Sequence, residues 1–208
     1  ETVPNDPSAT SIDRRVGIVM SGGSDLDIKA DNIFINANEM AFHMASVCGD
    51  ANNKAITGVT NTAKFDADSI ILKGASGIRA TVASDSRNKI EFNGVGRTEI
   101  YAIIPSTVNE TNFFGEIIGG KAVEIDYTDL TFNNDAVLAG ENLTAQGTAA
   151  GHLVNPGTQF EYWKDGYWLK AVSAGSESVL TANKDASILS NGGYYNTALH
   201  LSLIHISE

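Results

Sequence analysis

Asp27-Ile28-Lys29-Ala30-Asp31-Asn32-Ile33-Phe34-Ile35-Asn36-Ala37-Asn38 is the stretch on which the reading of this chain turns. Apolar residues alternate through Leu26, Ile28 and Ala30, then change parity to Ile33, Ile35 and Ala37, with Asp31 and Asn32 between the two sets. Side chains alternate across a strand, so a parity change sends them to the other face unless the chain bends there. Asp-Asn supplies the bend chemistry. The same pattern returns at Phe65, Ala67, Ile70 and Leu72, with Asp68-Ser69 at the change; Phe65 stands 37 residues after Ile28, and Ala30, Asp31 and Ile33 recur at that offset as Ala67, Asp68 and Ile70. A fainter copy runs Val123, Ile125, Tyr127, then Leu130 and Phe132, changing at Thr128-Asp129. Ile90, Phe92 and Val95 share the spacing, although Asn93-Gly94 fits a two-residue hairpin turn equally well. The repeated unit is expected to be strand, corner, strand.

A helical pattern competes with this one. Leu26, Ala30, Ile33, Ala37, Met40, Met44 and Val47 follow the 4-3 spacing of a coiled coil. Ile-Phe-Ile flanked by Asn and Asp is poor helix material, and the second copy carries Gly74 and Gly77 where a helix would have to continue. Strands are therefore expected over 26–37, while strand and helix both remain open over 38–48, where Gly49 is a possible helix stop.

Composition narrows the function classes. The 208 residues carry 25 acidic and 14 basic side chains, a formal net charge of −11, and the summed field repels phosphate backbones and anionic lipid. Nucleic acid and membrane insertion are not expected, and no run approaches the roughly 18 apolar residues of a helical span. Twenty glycines with abundant Asn, Thr, Ser and Asp favour short strands and corners, hence an all-β class. Cys48 is the single cysteine, so it has no internal disulfide partner and no companion for metal-ligand spacing.

Residues 1–15, with two prolines and no apolar period, read as a linker or arm. A repetitive β stalk is expected over 16–104. Periodicity fades over 105–120, which reads as a second linker, and 121–200 as a small antiparallel β domain. Its clearest feature is Phe160-Glu161-Tyr162-Trp163-Lys164-Asp165-Gly166-Tyr167-Trp168-Leu169-Lys170, a strand, an Asp-Gly turn and a strand. Pairing across that turn sets Trp163 opposite Trp168 and Glu161 opposite Lys170.

No motif for catalysis is present in the sequence. His43, His152 and His200 are far apart, and no nucleophile elbow, phosphate loop or metal-binding helix pair is found. Asp25 with Asp27, and Asp66 with Asp68, share strand faces as glycosidase carboxylates can, but among 25 acids such pairs read as a solvated face. Gly22-Gly23-Ser24-Asp25-Leu26-Asp27-Ile28 resembles one turn of the calcium repeats of β-rolls; one copy reads as a turn before a strand, and no metal or cofactor is expected. Tyr162, Trp163, Tyr167 and Trp168 are the candidate ligand-binding residues, a platform on which sugar faces could stack, with core packing as the competing role.

The run at 27–38 and its echo at 65–73 resemble the β-helical stalks of phage tail fibres, tail spikes and cell-puncturing baseplate proteins, over residues 16–104. The resemblance implies an elongated, solenoid-like stalk followed by a receptor-binding β domain, a homotrimer, and a place on a virion or outside the cell. The expected function is structural and host-surface binding, without catalysis; a bacterial adhesin and a fragment of a glycan-cleaving tailspike are the alternatives. The trimer is also expected from the parity changes, because strips distributed around the chain leave apolar area facing water that three copies would cover. The chain itself is expected to be an internal piece of a longer product. Leu201-Ser202-Leu203-Ile204-His205-Ile206-Ser207-Glu208 resembles the translation of a transposase-based sequencing adapter and is read as a non-native tail. Deleting Leu201 to Glu208 is expected to leave the melting temperature unchanged, and a fall of several degrees would show that the tail packs as a native strand.

Overall fold

The computed structural model describes residues 16–37, 40–45, 57–104, 121–142, 168–191 and 195–201. Their regular structure is all strand: β1 (Val16–Ser21), β2 (Asp25–Asn36), β3 (Met40–Ala45), β4 (Thr60–Gly74), β5 (Ser76–Thr81), β6 (Arg87–Asn93), β7 (Arg97–Ile104), β8 (Val123–Asp126), β9 (Thr128–Phe132), β10 (Asp135–Asn142), β11 (Trp168–Ala174), β12 (Val179–Ala182), β13 (Ala186–Asn191) and β14 (Tyr195–Leu201). They form two sheets. One runs β1-β3-β5-β8-β11-β14; the other runs β12-β9-β6-β4-β7-β10-β13, with β2 on the free side of β4.

The order of these strands describes a winding path. The chain leaves β1 for β2 in the other sheet, returns to β3 beside β1, then crosses to β4 beside β2, and repeats this three more times before β14. Each return brings the chain back in its original direction, so every strand pairing among the described residues is parallel. Residues 26–36 and 40–45 are strand, which removes the helical alternative there.

The offset read from the sequence is the register of the sheet. Ile28 pairs with Phe65, Ala30 with Ala67 and Ile33 with Ile70. Both predicted corners are parity changes inside long strands: Ala63, Phe65 and Ala67 point inward before Asp68-Ser69, and Ile70 and Leu72 point inward after it. The layer below shows why the chain turns here. The first half of β4 pairs with β6 and the second half with β7, while Asn93, Gly94, Val95 and Gly96 round the same corner. Asn93-Gly94 is thus a corner between parallel strands, not a hairpin. Only glycine fits: a Cβ on Gly94 would lie 1.8 Å from the Ala67 carbonyl oxygen and one on Gly96 1.7 Å from that of Asp68, and Gly94 adopts φ +129°.

The fainter copy sits in a different place from that expected. Leu130 and Phe132 pair with Ile90 and Phe92, so they precede the corner, and Ala136 and Leu138 follow it. Tyr127, with φ 48°, turns the chain between the two sheets at that point. The periodicity alone could not separate this turn from the corner within one sheet.

Register converts the repeat into columns of like residues inside the coil. Phe65, Phe92 and Phe132 stack with ring centroids 5.0 and 5.1 Å apart and planes within 12° and 8°, and Phe42 meets Phe65 edge-on at 5.3 Å. All four rings are buried. Each such pair contributes about 0.5–1.5 kcal/mol beyond its buried area. Buried polar groups are stacked in the same way: Asn61 Nδ2 donates to Asn88 Oδ1 at 2.9 Å, and Asn88 Nδ2 to Thr128 Oγ1 at 3.3 Å. Asn61 Oδ1 accepts from the Gly23 and Ser24 amides, which caps the turn into β2. These bonds remove the cost of roughly 1–3 kcal/mol that an unpaired buried amide carries.

The expected antiparallel domain is not what the strands form. The strands of 121–200 that are described pair in parallel with those of 16–104, as β5 with β8, β6 with β9 and β7 with β10, instead of forming an antiparallel unit. Both sheets therefore continue across the interval 105–120, itself outside the described residues. The apolar strips on which the homotrimer was argued face a common interior, so one chain covers Ile33, Ile70 and Leu72 by itself. Leu201, assigned to the tail, ends β14 with its backbone beside Ala174; residues 202–208 lie outside the described residues.

Because Phe92 holds the centre of the ring stack, Phe92→Ala is expected to cost about 3–5 kcal/mol. Urea unfolding of the variant should show a lower midpoint at unchanged slope, and a loss below 1 kcal/mol would show that the column does not carry the core.

Candidate functional site

The aromatic platform proposed from the sequence falls mostly outside the described residues: Tyr162, Trp163 and Tyr167 lie there, as does the Asp165-Gly166 turn. Trp168 opens β11, and its backbone pairs in parallel with Tyr195 of β14. The structure brings no two of these four residues together among the described ones.

The acid pairs lie on the outer face of the sheet. Asp25, Asp27, Asp66 and Asp68 are exposed, and register sets a base beside the middle two: Asp27 beside Lys64, and Asp66 beside Lys29. Lys64 in turn reaches Glu91 at 3.6 Å, and Arg87 bonds Asp129 through Nε and Nη2. Charges of alternating sign thus run across the strands. Parallel in-register stacking would otherwise place like charges in rows, and each exposed pair adds only about 0–1 kcal/mol, so their main effect is on register. Gly22 and Gly23 form a left-handed turn capped by Asn61, and no group of three potential metal-ligating side chains occurs among the described residues.

A polar cluster that the sequence reading passed over lies on β7. Arg97, Glu99 and Tyr101 stand on one face of the strand. Tyr101 Oη donates to Glu99 Oε2 at 2.6 Å, and Arg97 Nε donates to Glu99 Oε1 at 2.8 Å. Their spacing of two residues in Arg97-Thr98-Glu99-Ile100-Tyr101 is the signal that would have found them once β7 was assigned. The Tyr101 hydroxyl, opposed by partial burial and joined by Arg97, holds the Glu99 carboxyl below its ordinary 4.5, and the same bond raises the Tyr101 phenol above 10.0. A carboxylate held ionised in this way accepts hydrogen bonds and is a poor proton donor near neutral pH. Around it, register sets Ile71 and Val137 beside Glu99, with Phe34 beyond Ile71. Phe34 is 65% exposed. The result is an outer face with a fixed polar centre and apolar flanks.

Tyr101→Phe removes the larger cause of both shifts. Glu99 titrates below its unfolded value, so its contribution is complete above pH 4.5 and is lost as pH falls through the lower folded value; Tyr101 titrates above 10.0, so its contribution is complete below that pH and is lost as pH rises through the higher folded value. The variant should be less stable by about 1 kcal/mol at neutral pH, with the gap closing at both extremes. Melting temperature against pH for the two proteins measures this, and a gap independent of pH would remove the hydrogen bond as its cause.

Compared with known protein families, with characterised proteins and with solved structures, the chain matches none.

Proposed function

We propose that the chain is a segment of a parallel β-solenoid stalk, the structural and host-surface-binding part of a phage tail fibre or a similar extracellular appendage, and that it works by recognition without catalysis. The observation that carries this reading is the unbroken register: the column Ile28, Phe65, Phe92, Phe132 and Ala182 runs through five successive layers of one sheet. In such a stack each layer contacts the next through a full row of backbone hydrogen bonds, so stiffness grows along the axis without a larger core. A scaffold of this kind suits a spacer that presents a surface at a distance. Homotrimer formation belongs to the same reading.

The ligand in this reading is a cell-surface glycan. The polar cluster at Glu99 and the aromatic residues Tyr162, Trp163, Tyr167 and Trp168 are the groups proposed to meet it, since flat apolar rings and fixed acceptors match the two faces of a sugar. Fluorescently labelled protein should decorate bacterial cells, lose that binding after periodate oxidation of their surface polysaccharide, and release no reducing ends from it; Trp168→Ala should reduce the labelling. Binding to none of a broad host panel would sink the recognition function, and release of reducing ends would replace it with a glycan-cleaving one.

A further inference from the structure

The geometry points to the outer edge of β2 as a docking site for a basic, extended β-strand supplied by a partner protein. Among the described residues β2 pairs with β4 alone, so one side of its backbone has no strand against it. An open edge is a template for pairing, and proteins usually keep such edges short or block them with proline, bulges or lysine. Of these defences β2 carries one lysine, Lys29, and the corner at Asp31-Asn32, but it is neither short nor interrupted by proline. It is 12 residues long, against 4 for β12, 6 for β1 and β13 and 7 for β14, and it contains no proline and no glycine.

The core is also incomplete at this edge. Leu26, Ile28 and Ile35 point into the coil yet are only partly buried, whereas Ala63, Phe65 and Leu72, one layer further in, are fully buried. One more strand with inward apolar residues would give β2 what β4 already has.

Charge specifies which strand. The outward row of β2 runs through Asp25, Asp27 and Lys29 to Asp31 at the corner. On the β4 side, Asp27 and Lys29 each face an opposite charge, Lys64 and Asp66. Continuing that alternation on the open side calls for bases opposite Asp25, Asp27 and Asp31, an acid opposite Lys29 and apolar residues between them. The formal charge of −11 favours approach of such a partner. A second copy of this chain does not fit. Its own β2 repeats the three acids, and β12 and β13 present outward residues such as Thr181 and Ser187 without a base. Stacking β14 of one copy on β1 of the next would also leave the second sheet a layer short, because it has five layers against six in the first.

The test uses the 208-residue chain and a labelled peptide, Lys-Val-Lys-Val-Glu-Val-Lys, followed by fluorescence anisotropy. Saturable one-to-one binding is expected, weakened by salt and about tenfold weaker for Asp27→Lys. The charge-reversed peptide should not bind. A peptide of the same sequence with alternate backbone nitrogens methylated keeps its charge but loses strand pairing, and it too should not bind. Equal binding by the methylated peptide would reduce the effect to surface electrostatics. No binding by any peptide would mean that another segment of the chain or a further copy already covers the edge. Either result overturns the proposal, and the peptide controls keep it testable if Asp27→Lys fails to fold.

Discussion

The carbonyl oxygens of Ala67 and Asp68 lie where Cβ atoms on Gly94 and Gly96 would sit, and the packing of the whole second sheet depends on that close approach. It seats one layer's corner on the next. With the corners aligned, the inward residues on both sides fall into register: Phe65 on Phe92 before the bend, and Leu72 on Ile100 after it. A one-residue slip in either half would turn every inward residue outward, so the corner converts a local backbone constraint into the placement of the core.

What fills the coil follows from that stacking. A column receives one residue from each layer, and like residues pack well on one another: phenylalanine rings at about 5 Å along one column, amides along another. The asparagine stacks are the polar counterpart of the ring stack. Asn133 Nδ2 donates to Asn93 Oδ1 and Asn183 Nδ2 donates to Asn133 Oδ1, each at 2.7 Å, so an amide presents a donor to one neighbour and an acceptor to the other. Charged side chains occupy the outer faces, where several neighbouring layers meet with opposite sign, as Asp27 with Lys64 and Lys64 with Glu91.

Any ligand or partner then has to be met at faces and edges. Inward positions are committed to columns, and the outer rows are flat, with side chains about two residues apart along each strand. Five of the six exposed large apolar residues among those described, Val19, Phe34, Val179, Leu189 and Leu199, lie on strands of the first or last layers. The interior layers are satisfied by their neighbours. Unmet apolar area and unpaired backbone collect where the stack stops, as at β2.

The sequence by itself determined the all-β class, the inward and outward residues of 26–37 and 65–72, their two corners and the 37-residue register, because alternation, parity and turn chemistry are local properties of the chain. It also located the Asn93-Gly94 bend, with corner and hairpin both open. Only the tertiary structure decided which way neighbouring strands run: alternation is the same in a parallel and an antiparallel pair, so β8 to β14 could not be separated from an antiparallel unit by pattern. The same limit hid the place of Leu130 and Phe132, since the turn at Tyr127 and the corner within a sheet both change parity. The Arg97, Glu99 and Tyr101 cluster needed the structure for a different reason. Two-residue spacing places the side chains on one face, but only the folded strand brings the phenol and the guanidinium to the carboxylate at hydrogen-bond distance.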